Sequence, residues 1–155
     1  MAIKTYHGSC HCGAVYYEAA LDLAAGTLKC NCSICTKMRN WGAKADAFRL
    51  IAGEEALSDY QFSSRRVHHV FCKHCGIRAF MRADVPEMGG ALVVIQVATL
   101  DDASPEELLS GPVHYVDGRH DNFSNPPAET RHRSSGAPKE DGQPDRGDND
   151  DGQHG

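Results

Sequence analysis

Seven cysteines fall into three short clusters: Cys10-His11-Cys12-Gly13, Cys30-Asn31-Cys32-Ser33-Ile34-Cys35 and Cys72-Lys73-His74-Cys75-Gly76. Their number is odd, and the two sulfurs of a C-x-C pair do not easily bridge each other, so a disulfide framework fits poorly. Thiolates at these spacings are metal ligands, and zinc takes four of them when its role is structural. The first and third clusters each end in Cys-Gly. A glycine there lets the backbone take positive φ, so that amide N–H groups turn toward metal-bound sulfur. Cys10, Cys12, Cys72 and Cys75 therefore form one closed site, whose metal affinity is folding energy and which ties the N-terminal strand to a later hairpin.

Cys30, Cys32 and Cys35 remain, and Thr36 follows them in place of a glycine. Three protein ligands and one open position are the pattern of a catalytic zinc, the open place going to water or substrate. A histidine is the alternative fourth ligand, and nine are present. His11 and His74 lie inside the knuckles and are expected to face solvent. Only one of His68 and His69 can face inward from a strand, and His114 lies on the last strand. A metal-free, redox-sensing trio is a further reading. Two zinc ions per chain are the expectation. Three thiolates leave Zn²⁺ with a net charge of −1 and weak Lewis acidity, which suits a substrate thiol better than hydrolysis.

The elements that must position these sulfurs are mostly strands. Residues 14–19, 48–51, 67–72, 77–83, 91–100 and 112–117 are rich in β-branched and aromatic side chains and are interrupted by Gly, Pro and Asp. One helix is marked by Ser104 as N-cap, Pro105, Glu106 and Glu107 in the first turn, and Gly111-Pro112 as its stop. A second short turn is expected after Cys35. The prediction is one mainly β, mainly antiparallel domain over residues 1–123. From Ser124 to Gly155 there is no Val, Ile, Leu, Met, Phe, Trp, Tyr or Cys, which predicts a disordered polar tail over 124–155.

From Ala128 onward stand seven acidic and four basic residues, leaving 14 acidic against 12 basic before it. Without a basic run, neither a nucleic-acid surface nor a membrane-surface patch is expected. No apolar run reaches the length of a membrane span, and the first residues lack a signal-peptide core, so the expectation is a cytoplasmic protein.

The order G-S-C-H-C-G, C-x-C-x2-C, F-C-x2-C-G and a closing H-Y-V-D segment resembles the glutathione-dependent formaldehyde-activating enzymes, which share their domain with centromere-protein-V-like proteins. The resemblance spans roughly residues 4 to 123 and includes all seven cysteines. It implies a small tent-like β fold with a structural zinc on Cys10, Cys12, Cys72 and Cys75 and a catalytic zinc on Cys30, Cys32 and Cys35. It also implies a carbon–sulfur lyase, with glutathione as co-substrate in the formation of S-hydroxymethylglutathione. Two features depart from the family: Ile77-Arg78-Ala79-Phe80 stands where many relatives carry a His-Pro-Phe-like segment, and Phe123 where they often end in tryptophan. Glutathione's two carboxylates need cations, for which Lys37, Arg39, Lys44, Arg65, Arg66, Arg78 and Arg82 are candidates, Lys37 and Arg39 lying just past the trio. Trp41 reads as a pocket wall or a half-buried core residue. The competing reading from another class is a non-catalytic zinc-stabilised binding module of the centromere-protein-V-like type.

Overall fold

The computed structural model of the chain describes residues 3–130. Two sheets carry the fold. The smaller is antiparallel and consists of β1 (Lys4–Ser9), β2 (Tyr16–Leu21) and β5 (Ala47–Ala52), with β2 in the middle. The larger has seven strands. From one edge they run β10 (Val113–Val116), β3 (Thr27–Cys30), β4 (Gly42–Lys44), β9 (Gly90–Gln96), β8 (Phe80–Val85), β7 (Val67–Cys72) and β6 (Leu57–Tyr60). Every pairing is antiparallel except β10 with β3, which places Val116 opposite Cys30. The mainly β, mainly antiparallel architecture is the one predicted. The polar segment read as a disordered tail lies, from residue 131 onward, outside the described residues.

Between the sheets sits an aromatic core. The Phe48 and Phe80 rings lie 4.6 Å apart, and Tyr17 meets Phe80 edge-on at 6.1 Å. Such tilted and edge-on contacts suit the quadrupoles of aromatic rings. Tyr17 is fully buried, and its hydroxyl is satisfied by Thr99 Oγ1 at 2.8 Å. The large sheet is apolar on its other face as well: Ala83, Val85, Leu92 and Val94 cluster there with Leu28, Val67, Met81, Met88 and Phe123. Strand alternation produces this division, since Val93 and Ile95 of β9 point to the first core and Leu92 and Val94 to the second face.

Two short helices complete the frame. α1 (Ser33–Met38) follows β3 directly and begins before Cys35, not after it. α2 (Pro105–Leu108) has the predicted start, with a full capping box: Glu107 N–H donates to Ser104 Oγ at 3.1 Å, and Ser104 N–H to Glu107 Oε1 at 2.9 Å. Glu107 Oε2 also accepts from Lys4 Nζ at 2.6 Å and Tyr6 Oη at 2.9 Å, which ties α2 to β1. Those contacts hold the Glu107 carboxyl down at about 2, with Lys4 the leading cause. Among the described residues, no helix is long and apolar enough to cross a membrane.

Candidate metal centres

Cys10 and Cys12 sit on the turn after β1, and Cys72 and Cys75 on the turn at the end of β7. The four sulfurs lie within 4.8 Å of one another. The Cys10–Cys12 and Cys12–Cys72 sulfur separations are both 3.7 Å. Two thiolates bonded to one tetrahedral zinc at ~2.3 Å stand about 3.8 Å apart, so the donor set fits that ion. Gly13 and Gly76 have φ of +85° and +79°. A Cβ at either would meet nothing within 4 Å, so glycine is required there by the backbone and not by space. Backbone amides turn toward the sulfurs as expected: Val15 N–H points to Cys10 Sγ at 3.3 Å, and the Ile77 amide leads in holding the Cys75 thiol down to about 6. His11 and His74 are exposed, as predicted for residues inside the knuckles.

The second group, Cys30, Cys32 and Cys35, is buried throughout, and its sulfurs also lie within 4.8 Å of one another. Cys30 ends β3. Cys32 is the N-cap of α1, its sulfur accepting from Cys35 N–H at 3.4 Å, while Cys32 N–H points to Cys30 Sγ at 3.4 Å. Hydrogen bonds from the Cys30 and Cys35 thiols, with help from the α1 backbone, pull Cys32 down to about 2, and the same sharing pushes Cys30 up. Cys32 alone of the three thus favours thiolate before any metal arrives. Among the described residues, no histidine nitrogen lies within 4.8 Å of all three sulfurs.

The surrounding chain is fitted to this trio. Gly118 follows β10, and a Cβ there would stand 2.5 Å from Cys30 Sγ and 3.1 Å from Cys32 Cβ. Asn31 clamps the same loop, donating to Asp117 Oδ1 at 2.8 Å and accepting from Arg119 N–H at 2.9 Å. His69 faces inward and is buried, whereas His68 faces out and pairs with Asp59 at 2.7 Å. Arg78 is buried as well. It donates to His69 Nδ1 and, at 2.9 Å, to Asn40 Oδ1, which also accepts from Gln96 at 3.0 Å; Asn40 Nδ2 has no partner. Because guanidinium can only donate, Nδ1 must accept, and the single proton of neutral His69 is on Nε2. Burial first, then the Arg78 charge, lowers His69 to about 4. The Arg78 charge opposes, without overturning, the rise of the Cys35 thiol, which its hydrogen bond with Cys32 and burial push up to about 12. A dication on three thiolates would carry −1, which the buried Arg78 guanidinium, with no carboxylate partner among the described residues, offsets, so the residues present fit a zinc ion.

Two spaces flank β3, and one of them is lined by the trio. A chamber of about 50 Å³ on the outer face of the large sheet is lined by all three cysteines, His69 and apolar side chains that include Met81, Val94, Val116 and Phe123. On the opposite face of β3 lies an open cleft of about 710 Å³, bordered by Lys29, Arg39, Trp41, Arg78 and Gln96. Lys29 stands over the Trp41 ring at 5.9 Å, and burial, then Arg39, lowers its pKa. Of the candidate cations, Arg39 and Arg78 reach this cleft, and Lys37 is exposed on α1. Arg65, Arg66 and Arg82 line a separate cleft with His68, and Lys44 donates to the Met88 carbonyl. Trp41 is both half-buried against the core and a wall of the open cleft.

The cysteine geometry agrees with what comparison finds. The model of the family "Glutathione-dependent formaldehyde-activating enzyme" matches residues 5–115. The chain belongs to that family. Among solved structures, a crystal structure of a Rhodobacter sphaeroides protein is similar, with 32% sequence identity and a TM-score of 0.58, covering 69% of this chain and 98% of its own. Membership places glutathione-dependent formaldehyde activation as the family's named activity, and both groups of cysteines can hold a metal. Residues that sequence reasoning did not single out are Gly118, Asn31 and Asn40. Only Gly118 left a trace, as a small residue just after the closing H-Y-V-D segment.

Proposed function

We propose that this protein is a zinc-dependent carbon–sulfur lyase of the cytoplasm that makes and breaks the adduct between glutathione and an aldehyde. What carries the reading is the trio: three buried, clustered thiols of which Cys32 favours thiolate, with no fourth protein ligand among the described residues, opening onto a chamber. The second, four-cysteine group takes a structural zinc, which leaves the trio free for chemistry. When bound by Cys30, Cys32 and Cys35, zinc supplies an open coordination position that acidifies a thiol and keeps it nucleophilic.

In the addition, glutathione's sulfur attacks the carbonyl carbon. The carbon–sulfur bond forms, the π pair of the carbonyl moves onto oxygen, and that oxygen takes up one proton to match the one the thiol lost. Cleavage runs these changes backward. His69 holds its proton on Nε2 and lines the chamber with the trio, so it donates a hydrogen bond to the oxygen as charge develops there. Arg78 fixes that tautomer. Arg39, beside Lys29 in the open cleft, takes a glutathione carboxylate, and Lys37 adds positive charge two residues earlier, in the last turn of α1.

Exchange between formaldehyde and its glutathione adduct, followed by NMR with fully metallated protein, tests the reading. Faster exchange that disappears in Cys32→Ser is expected. Unchanged exchange for formaldehyde and for larger aldehydes alike leaves the non-catalytic zinc module as the better description.

A further inference from the structure

Formaldehyde has no substituent, and glutathione is a polar tripeptide carrying two carboxylates and an ammonium. Neither offers an apolar group, yet the trio opens onto an apolar chamber. Around Cys30, Cys32 and Cys35 stand Leu28, Met81, Val94, Val116 and Phe123, and the only polar side chain besides the thiols is that of His69. A space of about 50 Å³ is several times the roughly 10–15 Å³ that one water needs. Water gains little there, because an apolar wall gives it too few partners.

Beyond Phe123, which already lines the chamber, no large apolar residue occurs. The wall formed by the sheet is also stiff, since Ala83, Val85, Leu92 and Val94 are buried strand residues of β8 and β9 in continuous pairing. Leu28, Val67, Met81, Met88, Val116 and Phe123 are half-buried, and of these the unbranched methionines shift most readily. A preformed apolar space beside reactive groups binds an apolar substituent of whatever reacts there.

We infer that the aldehyde handled by this protein carries an apolar substituent of a few carbons, which occupies the chamber while its carbonyl carbon meets the thiol at the trio. The inference rests on the proposed function and specifies its substrate class. The addition is the one already described, with an alkyl group in place of a hydrogen on the carbonyl carbon: the carbon–sulfur bond forms, the π pair goes to oxygen, and the thiol's proton balances the new hydroxyl. No oxidant or reductant takes part. Discrimination comes from transfer of the alkyl group out of water, which formaldehyde cannot supply.

Binding is tested apart from turnover, with the stable thioethers S-methylglutathione and S-butylglutathione on the full-length metallated protein labelled at methionine methyl groups. The four methionines divide usefully, because Met81 and Met88 border the chamber and Met38 the open cleft. The butyl compound should bind at least tenfold more tightly than the methyl one and shift the Met81 and Met88 methyls. Ala83→Leu, which narrows the chamber, should cut that preference at least fivefold. Equal affinities, or shifts confined to Met38, would overturn the inference, and the wild-type comparison decides even where the variant does not fold. In turnover, acceleration with butanal above that with formaldehyde supports it. Acceleration with formaldehyde alone overturns the chamber assignment and leaves the proposed lyase standing. No acceleration with any aldehyde removes the lyase reading, and the inference with it.

Discussion

Arg78 donates from Nη1 to His69 Nδ1, and both side chains are buried between the open cleft and the cysteine trio. One buried cation thereby sets the tautomer of one imidazole. Its second nitrogen group is spent on Asn40, so the fork cannot swing away without abandoning a polar partner in the interior.

Replacing Arg78 with Met should free His69 Nδ1 and mix the two tautomers, visible in long-range ¹H–¹⁵N spectra. The His69 pKa should rise from about 4, but only part of the way to its ordinary value, since burial is the larger cause of its depression and remains. His69→Phe, which removes the Nε2 proton altogether, should slow exchange of the adduct by about 10²-fold. A rate untouched by His69→Phe would mean that the ring only packs.

Gly118 is spaced against the trio and not against the core, so its substitution separates metal binding from folding. Gly118→Ala places a methyl group 2.5 Å from Cys30 Sγ. The expected result is a folded protein whose zinc content falls from two to one. Elemental analysis together with a melting curve checks it, and retention of both ions would mean that the loop after β10 yields.

Cysteine variants should divide along the same line. Cys72 is fully buried within the aromatic core, and its N–H bonds the Ile77 carbonyl at 2.9 Å. Cys72→Ser removes a ligand and puts a hydroxyl in that core, so loss of the cooperative fold is expected. Cys32→Ser should leave a folded domain with one zinc and no activity. Circular dichroism and metal content, read together, would expose a reversed assignment.

The division of seven cysteines into four and three was readable because it depends on local chemistry. A glycine after Cys12 and Cys75 reports a positive φ, and none follows Cys35. The α2 start was readable for the same reason, since a capping box is local. What sequence could not show depends on distant pairing. β3, β4 and β6 have weak strand signals of their own, as in Gly42-Ala43-Lys44, and become strands through their neighbours. The parallel match of β10 to β3, which brings Gly118 onto Cys30, joins segments 86 positions apart, as the Asn31–Asp117 bond marks. In the sequence Arg78 is one of seven candidate cations, with nothing local to mark it as buried. Only the placement of Ile77 outside and Arg78 inside, at the end of the knuckle, makes it a buried one.

Acid should weaken the joint between α2 and β1. The Glu107 carboxyl lies at about 2 in the folded chain, below its ordinary 4.5, so the stability it contributes is present above 4.5 and is lost as pH falls from there toward 2. Glu107→Gln should flatten the stability profile over that window relative to wild type, in melts run side by side. Identical slopes would mean that the contacts to Lys4, Tyr6 and Ser104 are not maintained in solution.

Chelator titration puts ligand number against accessibility. Cys12 is exposed and Cys75 half-exposed, whereas Cys30, Cys32 and Cys35 are all buried, so a chelator reaches the four-cysteine site more easily. Affinity points the other way. Four thiolates with turned amides hold zinc more tightly than three thiolates and an exchangeable position, and release from the first site also costs the fold. At equilibrium affinity decides and access does not, so the first zinc lost in a slow titration should come from the trio. Its loss should abolish turnover with the melting transition still cooperative, and only the second zinc lost should collapse the domain. The sequence can be followed by cobalt substitution, where depletion of one site at a time changes the thiolate charge-transfer bands. A fold that collapses with the first ion removed would place the structural role on Cys30, Cys32 and Cys35 instead.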